Sequence, residues 1–164
     1  MAAQNSAATW PEERVLVLTR VFDAPRELVW KAWTQPERLA RWFGPRGFTS
    51  TVLEADFRPG GEYRFHMRSP EGDDHWQRGT YREIVPPERL VSTFVWTDAE
   101  GKATRPETLL TVSLAEHGRK TMLTLHQAVF ESVTARDLHG EGWTSSLDRL
   151  AEYLARADDS TRCA

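Results

Sequence analysis

The chain is short of the residues from which most structural and catalytic centres are built. It has one cysteine in 164 residues, Cys163. No internal disulfide can form, and a reducing, cytoplasmic setting is expected. That thiol follows the polar stretch 158–162 and reads as a free, exposed group without function. Lys and Arg number 21 against 24 Asp and Glu, for a net charge of -3. No basic block or stripe is present, so the electrostatic footprint of a nucleic-acid partner is missing. No apolar run is long enough to cross a bilayer, and no membrane span is expected. Residues 1–11 carry neither the basic nor the apolar region of a secretory signal. There is no P-loop, no GxGxxG after a strand and no GxSxG elbow, and Gly140-Glu141-Gly142 falls inside an expected helix. The five histidines are His66, His75, His117, His126 and His139, and none pairs with another at metal-ligand spacing. No metal site and no cofactor are expected. The acidic tip Glu71, Asp73 and Asp74 offers too few ordered oxygens for calcium and reads as a solvated loop. No Ser or Thr has an evident base partner, so no catalytic set is assigned.

What is abundant is aromatic surface. Seven Trp and seven Phe are spread over the chain. They supply buried area or the wall of an apolar pocket. Hydrophobic residues make 40% and charged residues 27% of the chain. That is an ordinary globular balance, and the length suggests one domain. Residues 13–157 are expected to form it, between a tail at 1–12 and a flexible tail at 158–164.

Periodicity orders the elements. Residues 14–22 are apolar on both sides, which predicts a strand covered on both faces or lying at a corner. Asp23 is placed to cap a helix with Pro25 in its first turn. Leu28, Val29, Ala32 and Trp33 make its apolar stripe. Thr34-Gln35-Pro36-Glu37 has capping-box spacing before a second short helix over 36–42. From Phe48 the period changes to two. Strands are expected over 48–57, 63–68, 75–85, 90–96, 107–115 and 120–128, joined by short loops as an antiparallel meander. A long helix over 134–157 then carries Leu138, Trp143, Leu147, Leu150 and Leu154 toward the sheet. A strongly twisted sheet does not close flush on a straight helix, so a cavity is expected between them.

The candidate ligand-binding residues are Trp42, Phe57, Tyr63, Phe65, Met67, Phe94, Trp96, Trp143 and Leu147, with His139 and Ser146 as polar groups one turn either side of Trp143. Each aromatic among them has an equal alternative as plain core. Trp42-Phe43-Gly44-Pro45 is either a lip on the cavity or a staple for the second helix. Arg78 joins the set only if Met67 pairs with Trp76. A slip of one residue sends Arg78 outside and brings Gly79 and Tyr81 in.

Ala24-Pro25, Trp30, Trp42-Phe43-Gly44-Pro45, Arg58-Pro59-Gly60-Gly61 and Gly142-Trp143, in this order, resemble the activator of heat shock protein 90 ATPase (AHSA-like) branch of the SRPBCC, or START-like and Bet v-like, superfamily. The resemblance covers residues 14–154. It implies an α+β helix-grip fold, a curved antiparallel sheet around a long C-terminal helix with two short helices after the first strand. It also implies an apolar cavity for a small hydrophobic or aromatic ligand. Two other roles come with the superfamily: an enzyme of cyclase or hydrolase type on an apolar substrate, and a stress-related co-chaperone or protein-interaction module. The co-chaperone of the family has a further N-terminal domain, and with only about twelve residues before the first strand this chain is expected not to activate the chaperone. A monomer or a homodimer fits the sequence equally.

Overall fold

The computed structural model describes residues 11–163. After a short 3-10 turn at Glu12–Arg14, the chain forms β1 (Leu16–Phe22), α1 (Arg26–Thr34), α2 (Pro36–Trp42), β2 (Thr49–Ala55), β3 (Glu62–Arg68), β4 (Asp74–Val85), β5 (Arg89–Thr97), β6 (Thr108–His117), β7 (Lys120–Ala128) and α3 (Val133–Cys163). The strands form one seven-stranded sheet in the order β1-β7-β6-β5-β4-β3-β2. Every neighbouring pair is antiparallel. The helix pair α1–α2 carries the chain from one edge of the sheet to the other. This is the helix-grip architecture: a curved sheet, two early helices, and a long helix returning across the concave face.

One buried cluster ties the layers together. Val29, Ala32 and Trp33 come from α1, Leu39 and Trp42 from α2, and Leu147, Leu150 and Leu154 from α3. They meet Leu123 and Leu125 of β7, which are wholly withdrawn from solvent. Alternation places Tyr63, Phe65 and Met67 of β3 on the same concave face.

Several local expectations change. β1 is an edge strand with a single covered face, so Val17 and Val21 are 55% and 47% exposed. Asp23 does not cap α1, whose N-cap is Pro25 without a side-chain bond. Thr34 does not cap α2 either. Gln35 occupies the N-cap, and the Thr34 hydroxyl donates back to the Trp30 carbonyl at 2.8 Å. In β2 the alternation breaks at a register shift between Val52 and Glu54, and Leu53 turns outward. The final helix runs past the expected end at Ala157 to Cys163. The expected N-terminal tail falls mainly on residues 1–10, outside the described residues.

Candidate ligand cavity

The register of β3 on β4 sets the floor of the site. Met67 pairs with His75, Phe65 with Gln77 and Tyr63 with Gly79. His75, Gln77, Gly79 and Tyr81 therefore share the concave face. Arg78 does not: it pairs with Arg64 and Val95 on the opposite face, and its Nε donates to the Gly101 carbonyl at 2.9 Å. The candidate assignment of Arg78 to the cavity is corrected by that single-residue register. Gly79 has a steric role here. A Cβ on it would lie 2.1 Å from the Thr93 carbonyl oxygen and 2.5 Å from the Tyr63 ring. Only glycine lets that ring lie flat across the strand.

Two adjoining chambers open between the sheet and the first half of α3. The apolar chamber, about 430 Å³, is lined by Phe43, Gly44, Pro45, Phe48, Met67, Gln77, Gly142, Trp143 and Ser146. The second, about 550 Å³, is more polar and is lined by residues including Thr97, Thr104, Arg105, Thr108, Glu131 and Ser132. His75, Phe94, Trp96, Leu138 and His139 border both. Leu138, 61% exposed, stands at their shared mouth.

The wall is held by a small number of directed bonds. Trp143 Nε1 donates to Gln127 Oε1 at 2.8 Å, and Gln127 Nε2 donates to Thr108 Oγ1 at 2.8 Å. Gln127 is completely buried, so these bonds satisfy an amide that water cannot reach. The Trp143 ring stacks on Trp33 at 5.8 Å and meets Phe43 edge-on at 5.7 Å. Trp96 Nε1 donates to His139 Nε2 at 2.8 Å, while His139 Nδ1 lies 2.8 Å from the Ala135 carbonyl. Because an indole can only donate and a carbonyl only accept, His139 is neutral with its proton on Nδ1. Burial, opposed by that backbone bond and by Glu131, holds its pKa below the ordinary value.

The lip is the segment 43–48. Arg149 of α3 fastens it by donating to carbonyl oxygens: Nη1 lies 2.9 Å from Gly44 O and 3.1 Å from Pro45 O. The backbone N–H of Arg46 donates to Ser145 Oγ at 2.8 Å.

Met67, Phe94, Trp96, His139, Trp143 and Ser146 thus come together at the cavity. Trp42, Phe57, Tyr63, Phe65 and Leu147 do not line it. Trp42 is wholly buried and donates to the Ala32 carbonyl at 3.0 Å, which makes it the staple of α2 while Phe43 supplies the lip. Phe57 packs on Tyr81, Phe65 lies between Phe43 and Tyr63, and Leu147 is buried in the core. Sequence reasoning missed Phe48, His75 and Gln77. The signal for Gln77 was its period-two relation to Gly79 and Tyr81.

Among the described residues, no three His, Cys, Asp or Glu side chains come together in a way that could hold a metal ion. No described helix is long and apolar enough to cross a membrane.

The family model for the activator of Hsp90 ATPase homolog 1-like protein matches residues 23–155. The chain belongs to this family, within the SRPBCC superfamily. Solved structures agree. A Chromobacterium violaceum protein is 33% identical, with 86% of this chain and 96% of that one covered and a TM-score of 0.78. A Nitrosomonas europaea protein is 27% identical, with 91% and 99% covered and a TM-score of 0.76. The AHSA1 protein of Silicibacter pomeroyi is 26% identical, with 87% and 99% covered and a TM-score of 0.78. Among curated proteins none matches the chain.

Proposed function

We propose that this member of the family binds a small hydrophobic or aromatic ligand in the apolar chamber, as a single cytoplasmic domain over residues 13–157. The observation that carries the reading is the chamber itself. Its volume of about 430 Å³ falls in the range of small-molecule sites, and its walls are mostly aromatic and aliphatic with few polar groups. The exposed Leu138 gives it an apolar threshold. The other large exposed apolar side chains among the described residues are Val17 and Val21 on β1, Leu53 on β2, Val85 on β4 and Val133 at the start of α3. They come from four separate elements, which favours a cavity over a single protein-docking patch.

His139 supports binding over acid–base chemistry. Each of its ring nitrogens already has a partner, so it takes up a proton only by losing the Trp96 bond.

The test fills the chamber from the helix side. Ser146→Trp places a large ring in it. Gly142→Leu is a second route, because a Cβ at Gly142 meets only Pro45 Cγ, at 3.8 Å. Either variant, folded by circular dichroism, should lose binding of a neutral naphthyl probe followed by calorimetry. Unchanged binding in both folded variants would place the probe elsewhere and end the reading.

A further inference from the structure

We infer that the apolar chamber selects a neutral ligand that brings its own hydrogen-bond donor, a hydroxyl or N–H on an apolar ring system, and that Gln77 Oε1 is the group that receives it. The inference rests on the reading that this chamber holds the ligand.

The orientation of the Gln77 amide follows from its neighbours. Tyr63 Oη lies 2.8 Å from the Thr93 carbonyl oxygen, which can only accept, so the single hydroxyl proton goes there. Burial pushes the Tyr63 hydroxyl up to about 12, which keeps that proton in place. Toward Gln77 the Tyr63 oxygen can therefore only accept, and the atom facing it at 3.3 Å is Nε2. Oε1 is left with no partner, in a residue only 2% exposed that lines the chamber. A buried amide oxygen without a bond is costly, and in the likewise buried Gln127 the Oε1 accepts from Trp143.

The other polar groups around the chamber point to the same chemistry. The Ser146 hydroxyl donates to the Gly142 carbonyl at 2.9 Å, leaving its oxygen to accept. The indole protons of Trp143 and Trp96 and the imidazole proton of His139 are all committed to protein acceptors. The remaining side-chain N–H groups of the lining are the second one of Gln77 and that of the exposed His75. Of the nearby guanidiniums, Arg149 is turned to the lip carbonyls and Arg105, in the adjoining chamber, is paired with Glu131. A carboxylate would meet no unpaired guanidinium in the apolar chamber, whereas a hydroxyl or N–H would supply the donor that Gln77 Oε1 lacks.

The experiment compares one ring system in four forms. 2-Naphthol, naphthalene, 2-methoxynaphthalene and 2-naphthoate are measured by calorimetry against the full chain and against Gln77→Leu, with Gln77→Met as the substitute if the leucine variant does not fold. The full chain should bind 2-naphthol about tenfold more tightly than naphthalene or the methyl ether, with 2-naphthoate weakest. The folded variant should lose that preference and hold naphthalene within a few-fold of the original affinity. Equal binding of naphthol and its methyl ether, tightest binding of naphthoate, or a preference that survives in the folded variant would overturn the Gln77 assignment while leaving the cavity reading intact. Binding of none of the four would overturn both.

Discussion

Trp96 of β5 and His139 of α3 are joined by an indole N–H donated to the imidazole Nε2 at 2.8 Å, across the wall shared by the two chambers. The bond requires an unprotonated Nε2. Burial already holds the His139 pKa below the usual 6.5. Between the folded and unfolded values the unfolded chain binds more protons, so stability rises with pH there. The contribution of His139 is complete above about 6.5, the unfolded value, and is lost as pH falls through the depressed folded value. Thermal unfolding from pH 8 down to pH 5 should show a steeper loss in the native chain than in His139→Gln. Superimposable profiles would mean that His139 titrates as an ordinary surface histidine.

A second strut, Trp143 to Gln127, should be thermodynamically coupled. Trp143→Phe removes the indole donor and leaves Gln127 Oε1 unpaired at a position with no solvent access. An unsatisfied buried acceptor costs about 1–3 kcal/mol, before any loss of ring contact. Adding Gln127→Leu should then cost less than in the native background. Denaturant titration of the double-mutant cycle reads this coupling. Strict additivity would show that the bond contributes no net stability.

The elements were legible because their periods were clean. Tyr63, Phe65 and Met67 alternate without interruption, and Pro36 to Trp42 makes two turns bounded by Pro36 and the Gly44-Pro45 pair. Which aromatics would line a cavity was not legible, since it depends on the distance of α3 from the sheet along its own length. Around Leu147, Leu150 and Leu154 the helix packs tightly, and these side chains are at most 1% exposed. Around Leu138, His139 and Trp143 it stands away, and the chambers lie there. Apolar residues recur along both halves, and their spacing does not report the distance to the sheet. Arg78 turned on a one-residue register that its own strand does not encode. The lip depends on Arg149, a charged residue outside the apolar stripe of the helix.

Arg149 should matter for the cavity although it does not line it. Its guanidinium donates to the carbonyls of Gly44 and Pro45, and burial lowers its pKa from the ordinary value. Arg149→Met keeps the stem and removes these bonds. A stability loss of about 1.5–3 kcal/mol is expected for charge-assisted bonds of this kind. Amide exchange should quicken in residues 43–48 more than elsewhere. Uniform quickening across the sheet would assign Arg149 a general structural role instead.

Leu150 tests the packed half of α3. It has no solvent exposure and sits in the central cluster. Leu150→Ala should cost about 2–5 kcal/mol by transfer and cavity terms together. A loss near zero by urea unfolding would place the helix on a different face.

Gly142 should separate stability from binding. It lies in the middle of α3, where a glycine is less favourable than alanine by about 1 kcal/mol. Its added Cβ would make ordinary contact with Pro45 Cγ at 3.8 Å, so Gly142→Ala incurs no clash and should raise the unfolding temperature. Gly140 is a useful control, because its Cβ would press on Leu16 Cδ1 at 3.3 Å, and its gain should be smaller. The same methyl at Gly142 narrows the apolar chamber at the lip, where Pro45 and Gly142 face each other across its edge. Gly142→Ala should therefore be more stable than the native chain and bind a naphthyl probe more weakly. A variant that is both more stable and unimpaired in binding would show that the ligand does not enter between the lip and the helix.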